Sequence, residues 1–184
     1  MLDIQFPVFP ALETERCLLR QVEFNDAEDY FRLRSDIRIM RYIDREPWKN
    51  IGEAHDNIAK IRESLAVGEG ISWAVCLKEK PQMIGMAGLW RIMKEHHRAE
   101  IGYTLLPELW NKGLMSEVLK KIIHFGFYEI NLHSIEANIN PENLASKKVL
   151  EKAGFKQEAY FRQNYFYNGQ FLDSAIYSLI TDKK

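Results

Sequence analysis

The sequence predicts an α/β fold in a single domain spanning residues 1–184, with a core at about 12–180: a mixed, mostly antiparallel central sheet flanked by helices. Three observations lead there. Apolar runs of strand length recur in pairs around turn residues, at 78–82 and at Asn168-Gly169, which marks hairpins. Between the pairs, apolar residues repeat at intervals of three and four, the stripe of a helix laid on a sheet. No repeat, low-complexity tract or Gly/Pro/Ser linker divides the 184 residues, a length that buries a core of its own.

In chain order, residues 17–22 are a short apolar run suited to a strand. Asn25 caps a helix, with Glu28 three residues on completing a capping box, and the helical pattern runs with breaks to about Tyr42. Pro47 interrupts it. Residues 51–67 resume amphipathic spacing through Ile51, Ala54, Ile58, Ile61 and Leu65, until Gly68 and Gly70 stop it. Residues 71–77 and 83–90 are strands joined by a Lys-Glu-Lys-Pro-Gln turn, and 98–106 is a third strand closed by Pro107. Met115, Val118, Leu119, Ile122, Ile123, Gly126 and Ile130 then keep the helical period. Residues 134–139 read as a strand, and 143–153 as a helix ended by Gly154 in the left-handed position. Residues 155–166 and 171–180 close the chain as a hairpin whose aromatics, Phe161, Tyr165, Phe166, Tyr167 and Phe171, read as hairpin core rather than as a substrate cage.

Composition excludes several roles. The 25 basic and 26 acidic residues nearly cancel, so the chain lacks the footprint of a non-specific nucleic-acid binder. No apolar run approaches the ~20 residues of a membrane helix, and residues 1–10 lack the basic start of a secretion signal. Cys17 and Cys76 sit far apart in apolar segments and read as small buried side chains. The five histidines share no ligand spacing with a carboxylate or a cysteine, so no metal is expected. The expectation is a cytoplasmic protein with no membrane segment and no direct nucleic-acid partner.

Chemistry concentrates in two segments. The stretch Leu105-Leu106-Pro107-Glu108-Leu109-Trp110-Asn111-Lys112-Gly113-Leu114-Met115-Ser116-Glu117 leads from a strand into a helix. The first turn of a helix offers unpaired N–H groups and the positive end of the dipole, a site for phosphate. Gly113 allows close backbone approach and Lys112 adds charge. A glycine loop before a helix serves equally well as a plain turn. The second segment runs from Asn140 to Phe155, where Asn143 caps a helix carrying Ser146 and Leu150.

These two segments, ~30 residues apart and each following a strand, resemble the coenzyme A loop and following helix of the GNAT superfamily of N-acetyltransferases. Thr14-Glu15-Arg16-Cys17-Leu18-Leu19-Arg20, Ala99-Glu100-Ile101-Gly102-Tyr103, Trp110-Asn111-Lys112-Gly113 and Asn168-Gly169-Gln170-Phe171-Leu172-Asp173 are similar to its ribosomal-protein-alanine (Rim-type) branch. The resemblance covers about residues 12–180. It implies the acyl-CoA N-acyltransferase fold, acetyl-CoA as cosubstrate and direct attack by a primary amine in a ternary complex. It further implies that acetyl-CoA is held by Tyr103, Thr104, Leu105, Asn111, Lys112, Gly113, Leu114, Met115, Ser116 and Asn143. Backbone N–H groups at 101–105 would polarise the thioester.

Two residues depart from the family pattern. Met115 replaces a usual Ala or Gly and is expected to crowd the phosphate; Leu150 stands where many members carry the Tyr that protonates the leaving thiolate. Ser146, from the branch's Asn-x-x-Ser pattern, is the candidate acid, and an ordinary helix-surface hydroxyl otherwise. Glu158 matches a proposed base and Glu100 competes with it, directly or through water; each also reads as a solvated strand carboxylate. Trp48 is a candidate for the acceptor mouth. The acceptor expected is a peptide N-terminal amine such as that of a ribosomal protein. The alternatives are a small-molecule amine (polyamine, amino sugar or aminoacyl antibiotic) and a non-catalytic coenzyme A-binding protein; a homodimer is compatible with each.

Overall fold

The computed structural model describes residues 1–182. The chain begins with β1 (Leu12–Glu13), β2 (Cys17–Gln21), α1 (Ala27–Ser35), α2 (Ile37–Met40) and α3 (Gly52–Ala66). Then come β3 (Ile71–Leu77), β4 (Lys80–Met93), β5 (Arg98–Leu105), α4 (Leu114–His124), β6 (Ser134–Ile139) and α5 (Leu144–Lys152). The last elements are β7 (Lys156–Tyr167) and β8 (Gln170–Ile180). One eight-stranded sheet has the order β1-β2-β3-β4-β5-β6-β8-β7. Every neighbouring pair is antiparallel except β5 and β6, which are joined by the crossover through α4 and run parallel. The mixed, mostly antiparallel sheet with flanking helices is the architecture expected from the sequence.

The apolar stripe of α4 is what holds it to the sheet. Leu114, Met115, Val118, Leu119, Ile122 and Ile123 are all buried, in one cluster with Trp73, Leu89 and Ile135. Beyond His124 the helix widens into a π turn at Phe125–Glu129 before β6. Asn168 and Gly169 both have positive φ, 47° and 79°, the conformation a two-residue hairpin turn demands.

Three local expectations need correction. The helix after β2 is entered one turn differently: Asn25 does not cap it, and the Glu23 amide instead donates to Asp26 Oδ2 at 2.8 Å across a 3-10 turn. Asp26 is anchored for this by Arg20, whose guanidinium meets both its oxygens. The 78–82 turn is tighter than read, since β4 already begins at Lys80. The hairpin aromatics are not core: Phe161, Phe166 and Phe171 are 49%, 62% and 63% exposed. The reason is topological. β6 pairs with β8 only over Ala175 to Ile180, so the distal half of the β7–β8 hairpin has no strand beside it but its own.

One irregularity positions the site. β5 and β6 pair only at Arg98–Ser134, Ala99–Ile135 and Glu100–Glu136, although β5 continues to Leu105 and β6 to Ile139. Beyond Glu100 the strands part, and each turns an unpaired hydrogen-bonding edge toward the gap.

Candidate active site

The parting strands open into a cavity of about 840 Å3. Its floor comes from β4 and β5, one wall from the end of β6 and the start of α5, and the other from α1, α3 and the segment after α2. Glu100, Tyr103, Thr104, Asn143 and Ser146 all line it. Gly102 makes room in this floor for the Trp90 indole, which lies across it: a Cβ would meet the ring at 1.7 Å and displace it.

Glu100 is only 8% exposed and accepts a hydrogen bond from Arg91 Nη1 at 3.0 Å. Arg91 can reach it because it sits at φ 47° where the β4–β5 register slips between Trp90 and Met93. The ion pair compensates the burial of the carboxylate.

Opposite, Tyr103 from β5 and Ser146 from α5 meet at 2.8 Å between their hydroxyl oxygens. Asn143 caps α5, accepting from the Ser146 amide at 3.0 Å, and so fixes where Ser146 stands. Burial raises the Tyr103 pKa to about 12, against a smaller lowering by the Ser146 contact. Tyr103 therefore holds its proton throughout the neutral range. It was expected only as part of the acetyl-CoA cradle; its hydroxyl partner is 43 residues away in sequence, a pairing no local pattern shows.

Glu158 is not brought to this cavity. It is the bulged residue between Gln157 and Ala159 on exposed β7, where its carboxylate accepts from Ser178 Oγ at 2.8 Å. Trp48 does not face the cavity either; it packs edge-on against Tyr30 at 4.8 Å and under the Arg34 guanidinium at 5.4 Å, backing the wall those two form.

At the far end of β5 the expected glycine-loop segment forms a turn into α4. Trp110 donates from Nε1 to the Leu105 carbonyl at 2.7 Å, pinning the loop to the strand. Asn111 and Gly113 both take positive φ, 59° and 77°, and Gly113 is the N-cap of α4 with no side-chain capping bond. The first-turn amides of Leu114, Met115 and Ser116 are thus left for an anion. Asn111 and Lys112 are exposed beside them. The expected crowding by Met115 does not arise, because its side chain is 8% exposed and packs in the core beneath the loop. Arg16 is an unforeseen neighbour: a Cβ on Gly113 would meet its Nη2 at 3.4 Å, and Glu117, which itself accepts from the Thr14 hydroxyl, holds it there. Leu150 is fully buried and does not line the cavity.

Cys17 and Cys76 are fully buried, and burial raises both thiol pKa values, the opposite of an activated nucleophile. Among the described residues no group of three or more His, Cys, Asp or Glu side chains is placed to hold a metal, and no helix is long and apolar enough to cross a membrane.

A crossover sheet whose parallel pair splays over a cavity, with an open helix N-terminus beside it, sets a substrate cavity next to a place for an anion. Residues 16–156 match the acetyltransferase (GNAT) domain, and the chain belongs to that family. It is 34% identical to the uncharacterized N-acetyltransferase YoaA of Bacillus subtilis, over 96% of this chain and all of that one. It is 26% identical to the ribosomal protein uS5-alanine N-acetyltransferase of Escherichia coli, covering 92% and 90% of the two chains. The crystal structure of a GNAT-family acetyltransferase from Bacillus anthracis superposes with a TM-score of 0.84 at 29% identity, covering 95% of this chain and all of that one. The protein is an acetyl-CoA-dependent N-acetyltransferase.

Proposed function

We propose that this enzyme acetylates the N-terminal amine of a peptide by direct attack within a ternary complex. The observation that carries the proposal is that a buried carboxylate, Glu100, and a protonated hydroxyl pair, Tyr103–Ser146, line one cavity at the gap between two splayed strands. The unpaired edge of β5 suits the amide-bearing arm of coenzyme A, and the Gly113 turn its pyrophosphate. The unpaired edge of β6 at Ala137 to Ile139 suits an extended peptide backbone, which a polyamine could not pair with. Relatives named for their acceptors include a spermidine N(1)-acetyltransferase as well as the uS5 enzyme, so the edge chemistry is what favours the peptide here.

Glu100, directly or through one water, accepts the proton lost by the amine as its nitrogen attacks the thioester carbonyl carbon. The β5 amides beyond Ile101 stabilise the oxyanion. As the C–S bond breaks, the Tyr103–Ser146 pair supplies a proton to the sulfur. The hydroxyls act as a unit, so their substitutions should not add. Tyr103→Phe should lower kcat about 100-fold and Ser146→Ala about 10-fold, within the usual range for a positioned acid. The double variant should be no slower than Tyr103→Phe alone. Single-variant rates within twofold of wild type at saturating substrates would remove the pair from the mechanism.

A further inference from the structure

The wall of the cavity formed by α1, α3 and the segment after α2 carries positive charge that no ion pair among the described residues neutralises. Arg34 on α1, Arg45 in the segment after α2 and Lys60 on α3 all line it. Among the described residues none of the three has a carboxylate within ion-pair reach, whereas the fourth lining cation, Arg91, is matched by Glu100. Asp44 is the remaining acid on this wall; burial raises its pKa, and among the described residues no basic side chain pairs with it. Arg34 is the clearest case. Its Nε is buried without a hydrogen-bond partner, its planar face rests on Trp48, and burial lowers its pKa while Arg45 adds repulsion. A guanidinium remains charged regardless. A half-buried, stacked and unpaired fork is arranged for a planar or tetrahedral oxyanion.

We infer that the acceptor carries an anionic group, a carboxylate or a phosphate, close to its amine, and that Arg34, assisted by Arg45 and Lys60, binds it. This rests on the acetyltransferase reading of the cavity and narrows its acceptor. A polycation such as spermidine would meet like charge on this wall. An N-terminal peptide with an acidic residue at its second position meets the opposite charge, and so does a small amino acid or aminoalkyl phosphate.

The test uses matched amines that differ in one charge, followed by thiol release from acetyl-CoA. The pairs are Ala-Asp-Ala amide with Ala-Asn-Ala amide, Ala-Ala with its amide, and phosphoethanolamine with ethanolamine; spermidine is the polycation. In the wild type the charged member of at least one pair should have a KM lower by about tenfold or more, and which pair responds separates peptide carboxylate, free carboxylate and phosphate. Arg34→Met should collapse that ratio toward one through KM, and Arg34→Lys should restore part of it. Equal KM values within every pair, or spermidine as the best acceptor, would overturn the inference. Calorimetry of the same pairs with saturating coenzyme A reads the preference without turnover and covers a poorly active variant. Coenzyme A binding with no charge preference sinks the anion site alone; failure of coenzyme A to bind sinks the reading beneath it.

Discussion

Tyr103 is a phenol whose surroundings remove any tendency to ionise at working pH. Burial raises its pKa to about 12, so below that value the donor form is the populated one. It follows that kcat should not decline between pH 7 and 10 through loss of the acid. A falling limb with a midpoint near 8 or 9 would assign the proton to another group. Single residues were unevenly legible in the sequence. Asn143 could be read because capping is a local pattern, three residues long, and the fold keeps it, whereas Ser146 was singled out by the family's Asn-x-x-Ser resemblance. Tyr103 as the partner of Ser146, and Arg91 as that of Glu100, depend on strand splay and on a register slip, which leave no local trace. Glu158 matched a motif, yet the bulge at Gln157/Ala159 puts it on an exposed edge. Met115 looked too large for its loop only because the sequence does not say which way an N-terminal helical side chain points.

At the scale of elements, the Gly113 turn and the first turn of α4 form one anion-binding unit. Gly113 has φ 77°, where any other residue is strained by roughly 1–2 kcal/mol, a cost a domain of ordinary stability survives. Gly113→Glu should therefore leave the circular dichroism spectrum intact while abolishing acetyl-CoA binding by calorimetry, since the new carboxylate repels the pyrophosphate. Micromolar affinity retained in a folded variant would move the cofactor elsewhere. The helices and most strands were legible because their periods, 3.6 and 2, follow from which face is buried. The parting of β5 from β6 was not, because residues 98–106 and 134–139 read as ordinary strands whether or not they remain paired. The aromatic hairpin misled for a related reason: apolar residues alternate alike on a covered strand and on one that projects past its neighbours.

For the whole molecule, the sheet divides the work. The crossover through α4 makes β5 and β6 parallel, and the cavity in which the amine would meet the thioester opens where those strands part, walled by α1 and α3 on one side and by the start of α5 on the other. With both cysteines buried and their pKa values raised by burial, an acetyl-cysteine intermediate has no seat in this arrangement. The most direct measurement is mass spectrometry of a single-turnover mixture of enzyme, acetyl-CoA and a peptide with a free N-terminus, compared with the same peptide blocked at its α-amine. The expected result is one acetyl group on the free N-terminal nitrogen, released thiol in equal amount, and no acetylated enzyme at any time. Acetylation of Cys17 or Cys76 before the peptide is modified, or equal modification of the blocked peptide, would contradict direct transfer to an N-terminal amine.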